Sequence, residues 1–178
     1  MGAAPPWPQH GGMNALVLYD SKYGNTERIA EAVALALQEA LPTRLTAIDD
    51  VDDCTELLTG IDLLVIGGPT HRHGISDALR ESLSCLGEHA LDGIRVAVFD
   101  TRAHGARVLT GSAAVRLARL VRRHGAWIVV PPASFVVQAV RGPLERGELE
   151  HASEWAHEVL QAVGIRAGRT SGVHLVGG

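Results

Sequence analysis

The sequence predicts a three-layer α/β fold with a doubly wound parallel sheet of about five strands. Short apolar runs that end in polar residues alternate along the chain with segments of helical periodicity, as this fold class requires. Neither an internal repeat nor a low-complexity linker interrupts this alternation. The chain has 178 residues, of which 46% are hydrophobic and 20% charged, and these values are typical of one globular domain.

The strands are predicted from runs that are apolar on both faces, since helices cover both faces of a parallel strand in such a sheet. The first run reads Ala-Leu-Val-Leu-Tyr, and a later one ends at Gly67-Gly68. The run at residues 44–48 is the weakest as an apolar pattern, so we expect this strand to lie nearer an edge of the sheet. In chain order, the predicted strands are residues 15–19, 44–48, 63–66, 96–99 and 127–130.

The helices are predicted from apolar residues at helical spacing. In the first helix an apolar residue recurs every fourth position from Ile29 to Leu41, and Pro42 ends the pattern. The predicted helices are residues 26–41, 77–86, 112–124 and 148–163, with a short one within 53–58. Ligands of such folds bind beyond the carboxyl ends of the strands, so candidate site residues are sought in loops 20–25, 67–76, 100–111 and 131–134.

The two ends of the chain differ in composition from its middle. Residues 1–12 include three prolines and three glycines and predict a disordered leader, and residues 166–178 predict a flexible tail. The domain is therefore expected at residues 13–165. The net charge of −4 argues against a nucleic-acid-binding protein, and no apolar stretch is long enough to predict a membrane-spanning helix.

Cysteine usage predicts a reducing, cytoplasmic location. The chain has two cysteines, Cys54 and Cys85. That number is too small for a disulfide scaffold or for a metal site with four thiolate ligands.

The loop after the first strand has the residues of an anion-binding site. It reads Ser21-Lys22-Tyr23-Gly24-Asn25-Thr26, and a helix begins at once. Hydroxyl and amide donors, a glycine and the unpaired N–H groups of the new helix together suit a phosphate. Simple capping of the helix by Ser, Asn or Thr explains the same residues, so both interpretations stay open. The spacing matches neither a dinucleotide-binding nor a nucleoside-triphosphate-binding glycine motif.

The segment from Val17 to Val33, Val-Leu-Tyr-Asp-Ser-Lys-Tyr-Gly-Asn-Thr-Glu-Arg-Ile-Ala-Glu-Ala-Val, closely resembles the signature of the flavodoxin family. The predicted order of elements is similar to that family over most of residues 13–165. The resemblance implies a flavodoxin-like fold and FMN as the cofactor. It also implies that the loop wraps the FMN phosphate, with contacts from Ser21, Lys22, Tyr23, Gly24, Asn25 and Thr26.

The same resemblance places the next loop, which contains Pro69, Thr70, His71, His73 and Gly74, beside the flavin ring. In the family a threonine here bonds the cofactor, and a glycine carbonyl turns toward the flavin N5 atom, which positive φ allows at little cost. Where many members have Trp or Tyr against the ring, this chain has two histidines. Solvated histidines and a metal-binding pair are alternatives, but no third ligand has suitable spacing and no metal site is predicted.

The loop after the fourth strand contains Asp100, Thr101 and Arg102, which the resemblance places at the pyrimidine edge of the ring. The alternative is that the first two start a turn and that Arg102 lies in solvent. If Arg102 approaches the ring, its charge stabilises the reduced, anionic flavin by roughly 3 kcal/mol at about 5 Å and an effective dielectric constant near 20. We therefore expect a less reducing flavin than in strongly acidic flavodoxins.

The function expected from the resemblance is electron transfer by noncovalently bound FMN, with redox proteins as partners and no catalytic residue supplied by the chain. An NAD(P)H:quinone reductase on the same fold, with NAD(P)H and a quinone as partners, is one alternative. A flavin-free interaction domain is another. A phosphoacceptor receiver domain is disfavoured because its acidic pair belongs where this chain has Tyr19-Asp20-Ser21. The acidic run at residues 49–53 is interpreted as a solvated loop.

Overall fold

A computed structural model of the chain describes residues 12–70, 74–103, 113–139 and 141–165. The predicted leader, apart from Gly12, and the predicted tail lie outside these residues. Within the described ranges strands and helices alternate as far as the helix at residues 113–123, which confirms the predicted α/β fold class.

The described strands are all joined in one sheet. They are β1 (Ala15–Tyr19), β2 (Thr43–Ala47), β3 (Leu63–Pro69), β4 (Arg95–Ala103), β5 (Trp127–Ile128) and β6 (Ala133–Val137). The order across the sheet is β2-β1-β3-β4-β5, and β6 also pairs with β4. Every pairing between these strands is parallel, and β2 lies at an edge as predicted. The winding direction reverses between β1 and β3, which is where folds of this class bind ligands.

The helices lie close to their predicted positions. They are α1 (Asn25–Gln38), α2 (Cys54–Leu57), α3 (Asp77–Ser84), α4 (Ala113–Arg123) and α5 (Glu148–Ala162). In the part of the chain that the structure describes, none of them has the length and apolar character needed to cross a membrane.

The sheet separates two hydrophobic cores, because successive side chains of a strand point to opposite faces. In β1, Val17 packs into a core shared with α1 and α5, whereas Leu16 and Leu18 pack into a core shared with α3 and α4. β3 and β4 alternate in the same way. These strands are therefore buried on both faces, as their continuous apolar runs predict.

The predicted fifth strand, residues 127–130, was wrong in extent. Pairing with β4 stops at Ile128 and resumes in β6, after Pro131 and Pro132. Proline has no backbone N–H to donate to a sheet, so this pair divides the strand into two segments. Residues 133 and 134, expected in a loop, consequently belong to β6.

Three aromatic rings hold β6 and α5 against the middle of β4. Phe99 of β4 contacts Phe135 of β6 at a centroid distance of 5.8 Å and Trp155 of α5 at 6.0 Å. Phe135 and Trp155 complete the cluster at 6.1 Å. The Phe99 ring crosses Gly67 of β3, where an added Cβ would lie only 2.1 Å from the ring. Glycine at this position therefore allows the ring to hold together the strands that carry the site.

Candidate functional site

The loop between β1 and α1 leaves backbone donors unpaired at the start of the helix. Gly24 precedes α1 with φ of 78°, and no side chain caps the helix at that residue. Ser21 Oγ instead accepts a hydrogen bond of 3.2 Å from the Glu27 backbone N–H. Among the described residues, the N–H groups of Asn25 and Thr26 have no acceptor. Two free donors at the positive end of a helix dipole are suited to an anion.

A buried pair of hydroxyl groups connects this loop to β4. Thr26 Oγ1 and Thr101 Oγ1 are 2.8 Å apart, and both residues are less than 5% exposed. Each hydroxyl has one proton, and their mutual bond uses only one of the two. The second proton is available to an acceptor in the adjoining space.

That space is a cleft at the carboxyl ends of β3 and β4, where Pro69 pairs with Thr101. Side chains from the first loop, both strand ends and β6 surround it. Its described lining residues are Lys22, Tyr23, Asn25, Thr26, Pro69, Thr70, Thr101, Arg102, Ala103 and Val137.

Asp100 and Thr70 fix the start of α4 behind this cleft. Asp100 Oδ2 accepts hydrogen bonds of 2.9 Å from Thr70 Oγ1 and from the Ala114 backbone N–H. Thr70 Oγ1 in turn accepts a bond of 3.2 Å from the Ala113 N–H. Asp100 is fully buried, and its carboxylate therefore caps the positive end of α4.

Arg102 is the feature of the cleft that most clearly fits a bound anion. Its Nη1 atom is buried and has no hydrogen-bond partner among the described residues. A buried, unpaired donor of a charged group costs free energy unless a ligand supplies an acceptor. With the free N–H groups at residues 25 and 26, the donor set therefore fits a cofactor that carries a phosphate and carbonyl acceptors.

The structure brings most of the predicted site residues together. Eight of them line the cleft: Lys22, Tyr23, Asn25, Thr26, Pro69, Thr70, Thr101 and Arg102. Ser21 lies beside a separate pocket with Tyr19, Glu27 and Asp49. Gly24 and Asp100 adjoin the cleft without lining it, since one precedes α1 and the other caps α4.

Gly74 adopts φ of +97°, which fits the predicted requirement for glycine, and lies against Arg116 of α4. An ideal Cβ at this glycine would lie 2.6 Å from Arg116 Cδ. His71 and His73 fall outside the described residues. Among the residues that are described, no group of three His, Cys, Asp or Glu side chains is placed to hold a metal ion.

Sequence reasoning missed the end of β6 and the segment that follows it. Val137 lines the cleft, the guanidinium of Arg141 lies 5.6 Å from the centroid of the Tyr23 ring, and Gly142 packs on Asn25. A Cβ at Gly142, where φ is +94°, would lie 2.5 Å from Asn25 Oδ1. The Gly-Pro pair at residues 142–143 indicates a turn, but it does not indicate what the turn contacts.

The chain is similar to known flavodoxins. The flavodoxin family model matches residues 17–131. Oxidised flavodoxin 1 from Bacillus cereus is similar with a TM-score of 0.71 and 21% identity, over 83% of this chain and 97% of that one. Flavodoxin 2 from the same organism is similar with a TM-score of 0.69 and 24% identity, over 83% of this chain and 98% of that one. A protein described as a flavodoxin, WrbA-like, from Agrobacterium tumefaciens is similar with a TM-score of 0.66 and 25% identity, over 85% of this chain and 98% of that one.

The family match covers well over half of the chain and includes the first loop together with the strand ends that line the cleft. The two Bacillus cereus flavodoxins share the fold over 83% of this chain. The chain therefore belongs to the flavodoxin family, whose members bind FMN and transfer electrons to redox partners.

Proposed function

We propose that the cleft holds FMN with its phosphate at the start of α1 and its ring beside the ends of β3 and β4. One observation carries this assignment: free donors from residues 25 and 26 and the unpaired Nη1 of Arg102 belong to the same cleft. When bound, FMN supplies one- and two-electron transfer, and the protein supplies binding, orientation and electrostatics.

In this assignment each group of residues has a distinct role. The backbone N–H groups of Asn25 and Thr26 donate to the phosphate, and Lys22 adds a positive charge near it. The Thr26–Thr101 pair fixes the distance between the phosphate loop and β4 and keeps one hydroxyl proton for the ligand. Arg102 donates to an acceptor on the cofactor, since no described residue satisfies its Nη1.

We propose a carrier role rather than an NAD(P)H:quinone reductase role. The cleft lies at the carboxyl ends of β3 and β4, and the described ranges contain no inserted element that would build a substrate pocket over a bound ring, which suits a cofactor that partner proteins approach directly. We expect no quinone-dependent oxidation of NADH or NADPH by the FMN-loaded protein. Steady turnover with both substrates would show that the reductase assignment is correct.

We also propose that residues 13–165 form the FMN-binding domain and that it works in the cytoplasm. Cys85 is an exposed free thiol, which suits a reducing compartment. Labelling of this thiol by a cell-permeant maleimide, but not by an impermeant one, is the expected result in intact cells.

Titration of the apoprotein with FMN tests the binding site, with Gly24→Ala and Gly93→Ala as a matched pair. The two glycines have φ of +78° and +80°, so alanine imposes similar backbone strain at both. A Cβ at Gly24 would have only Glu27 Oε2 within 4 Å, at 3.9 Å, and one at Gly93 would have nothing. In the free protein, therefore, neither change creates a clash.

FMN affinity should fall about tenfold or more in Gly24→Ala, which corresponds to at least 1.4 kcal/mol, and should stay near wild type in Gly93→Ala. The reason is that a Cβ at residue 24 takes space beside the proposed phosphate. Equal affinities in the two variants, or no FMN binding by the wild type, would contradict the assignment.

A further inference from the structure

A hairpin at the end of β6 reaches the loop between β1 and α1. An antiparallel bridge between Val137 and Leu144 joins its two arms, and both residues are buried in the core. Backbone hydrogen bonds of 2.9 Å on each side of this bridge close the arms. Residues 136–139 and 141–145 are called the β6 hairpin, and residues 141 and 142 are called its tip.

The tip contacts the two residues that flank the turn of the first loop. Gly24 makes this turn with φ of +78°, and its neighbours are Tyr23 and Asn25. The Arg141 guanidinium lies 5.6 Å from the centroid of the Tyr23 ring. Gly142 lies so close to the Asn25 amide that a built Cβ would be 2.5 Å from Oδ1 and 2.6 Å from Nδ2. The tip therefore restrains the loop on both sides of Gly24.

Packing rather than hydrogen bonding holds the Asn25 amide in place. The side chain lines the cleft, and within the part of the chain that the structure describes no residue forms a hydrogen bond with its amide. A Cβ at residue 142 would force this amide to move. Because Asn25 is the first residue of α1, its amide lies beside the backbone N–H groups that are proposed to bind the phosphate. The position of the amide thus depends on the β6 hairpin.

The β6 hairpin is also joined to the other end of the cleft. β6 pairs with β4 in a register that places Val136 beside Arg102 and Val137 beside Ala103. The proposed function places the ring beside the ends of β3 and β4, and the phosphate at the first loop. One element anchored in the core therefore connects the ring end of the cleft with its phosphate end.

We propose that the tip of the β6 hairpin holds the first loop in the geometry that receives the FMN phosphate, and so favours FMN over riboflavin, which lacks the phosphate. Gly142 is a positioning residue that acts through the Asn25 amide. The proposal rests on the proposed function, because it concerns the same cleft. A loop that is ordered before the ligand arrives need not be ordered at the expense of binding free energy, so affinity rises.

Titration of the apoprotein with FMN and with riboflavin, followed by flavin fluorescence, tests this role. In Gly142→Ala the ratio of the riboflavin Kd to the FMN Kd should fall about tenfold, as expected when one hydrogen bond to a charged group is lost. Gly147→Ala is the matched control, since its φ is +90° and a Cβ there would have no neighbour within 4 Å. Its ratio should stay near that of the wild type. A wild-type ratio in Gly142→Ala, even with both affinities lowered, would overturn the proposal.

The variant Asn25→Ala shows whether Gly142 acts through the amide. Without the amide, a Cβ at residue 142 no longer meets the atoms of Asn25. In an Asn25→Ala protein, Gly142→Ala should therefore change the FMN Kd by less than about twofold, because the two residues act as one unit. The same loss of FMN affinity with and without the Asn25 amide would overturn the proposal.

Arg141→Gln tests the other contact of the tip and does not depend on the folding of Gly142→Ala, since Arg141 is exposed. Loss of the guanidinium from the Tyr23 ring should lower the ratio about threefold. The effect should be equal at about 50 and about 500 mM salt, because salt screens a long-range attraction to the phosphate but not a packing contact. An unchanged ratio, or an effect that disappears at high salt, would overturn the proposal that the tip acts by contact.

Failure of the proposed function gives a different result. If the wild type binds neither FMN nor riboflavin, the proposed function is wrong, and so is the role of the β6 hairpin. If the wild type binds FMN but the ratio is the same in all the variants, the proposed function stands and the role of the β6 hairpin alone is wrong.

Discussion

Replacing Arg102 with leucine should change the stability of the free protein and its FMN affinity in opposite directions. The buried Nη1 has no partner among the described residues, so the free protein bears the cost of an unpaired donor, about 1–3 kcal/mol. Leucine removes the donor and keeps apolar volume in the cleft. We expect the free energy of unfolding of the apoprotein to increase by about 1 kcal/mol, which raises the urea midpoint by about 0.5 M for a typical m-value.

The FMN complex should lose affinity in the same variant. A hydrogen bond from a charged donor contributes about 1.5–3 kcal/mol, so the Kd for FMN should rise roughly 10- to 100-fold. Loss of the charge should also lower the reduction potential on the order of 100 mV, if the guanidinium lies about 5 Å from the reduced ring at an effective dielectric constant near 20. Urea unfolding of the apoprotein, fluorescence titration with FMN and redox titration give the three values.

Arg102→Lys is the matched control, since lysine keeps the charge but lacks the planar fork of donors. It should preserve most of the potential while losing part of the affinity. A destabilised apoprotein with unchanged Kd in Arg102→Leu would show that Arg102 supports the fold and does not contact the cofactor. Potentials that stay unchanged in both variants would remove the electrostatic argument.

Two further predictions concern the surroundings of the cleft. Gly142→Ala should lower the free energy of unfolding in urea by roughly 1–2 kcal/mol more than Gly147→Ala does. The two glycines have similar φ, +94° and +90°, but only a Cβ at residue 142 would meet a neighbour, Asn25 Oδ1, at 2.5 Å. Equal losses in the two variants would show that this contact imposes no constraint. Burial and the neighbouring Glu27 raise the pKa of Tyr19 above its ordinary value of about 10, so the stability that the protonated phenol provides is complete below about pH 10 and is lost as the pH rises through the raised pKa. Unfolding curves measured from pH 9 to 11 should therefore show a steeper loss of the free energy of unfolding for wild type than for Tyr19→Phe. Parallel losses in the two proteins would show that Tyr19 does not have a raised pKa.

Local pattern was sufficient for the parts of the fold that depend on burial alone. β1 and β3 begin where their apolar runs begin, since a strand covered on both faces tolerates few polar residues. α1 ends before Pro42, and α5 begins at Glu148 as its periodicity predicts. The predicted end of the fifth strand was wrong because the apolar run continues to residue 130, whereas the register with β4 ends at Ile128.

The site required information that no local pattern contains. The spacing of Asp100 and Thr70 gives no sign that they bond one another and the first turn of α4. Likewise, residues 141 and 142 lie more than a hundred positions from the loop they contact, and only the pairing of β6 with β4 brings them there. The composition of the first loop was informative because the whole anion-binding motif lies within one strand–helix connection.

The engagement of Asp100 explains why Arg102 is left for a ligand. The two residues are two positions apart in β4, so their side chains leave the same face of the strand and an ion pair is the simplest outcome. Instead, Asp100 Oδ2 is occupied by the Thr70 hydroxyl and by the Ala114 N–H at the start of α4. The start of α4 thus takes up the Asp100 carboxylate oxygen Oδ2, and the guanidinium of Arg102 is left for the FMN proposed to occupy the cleft. Asp100→Ala should therefore destabilise α4 without creating a new anion site, because Arg102 Nη1 already has no partner among the described residues of the wild type.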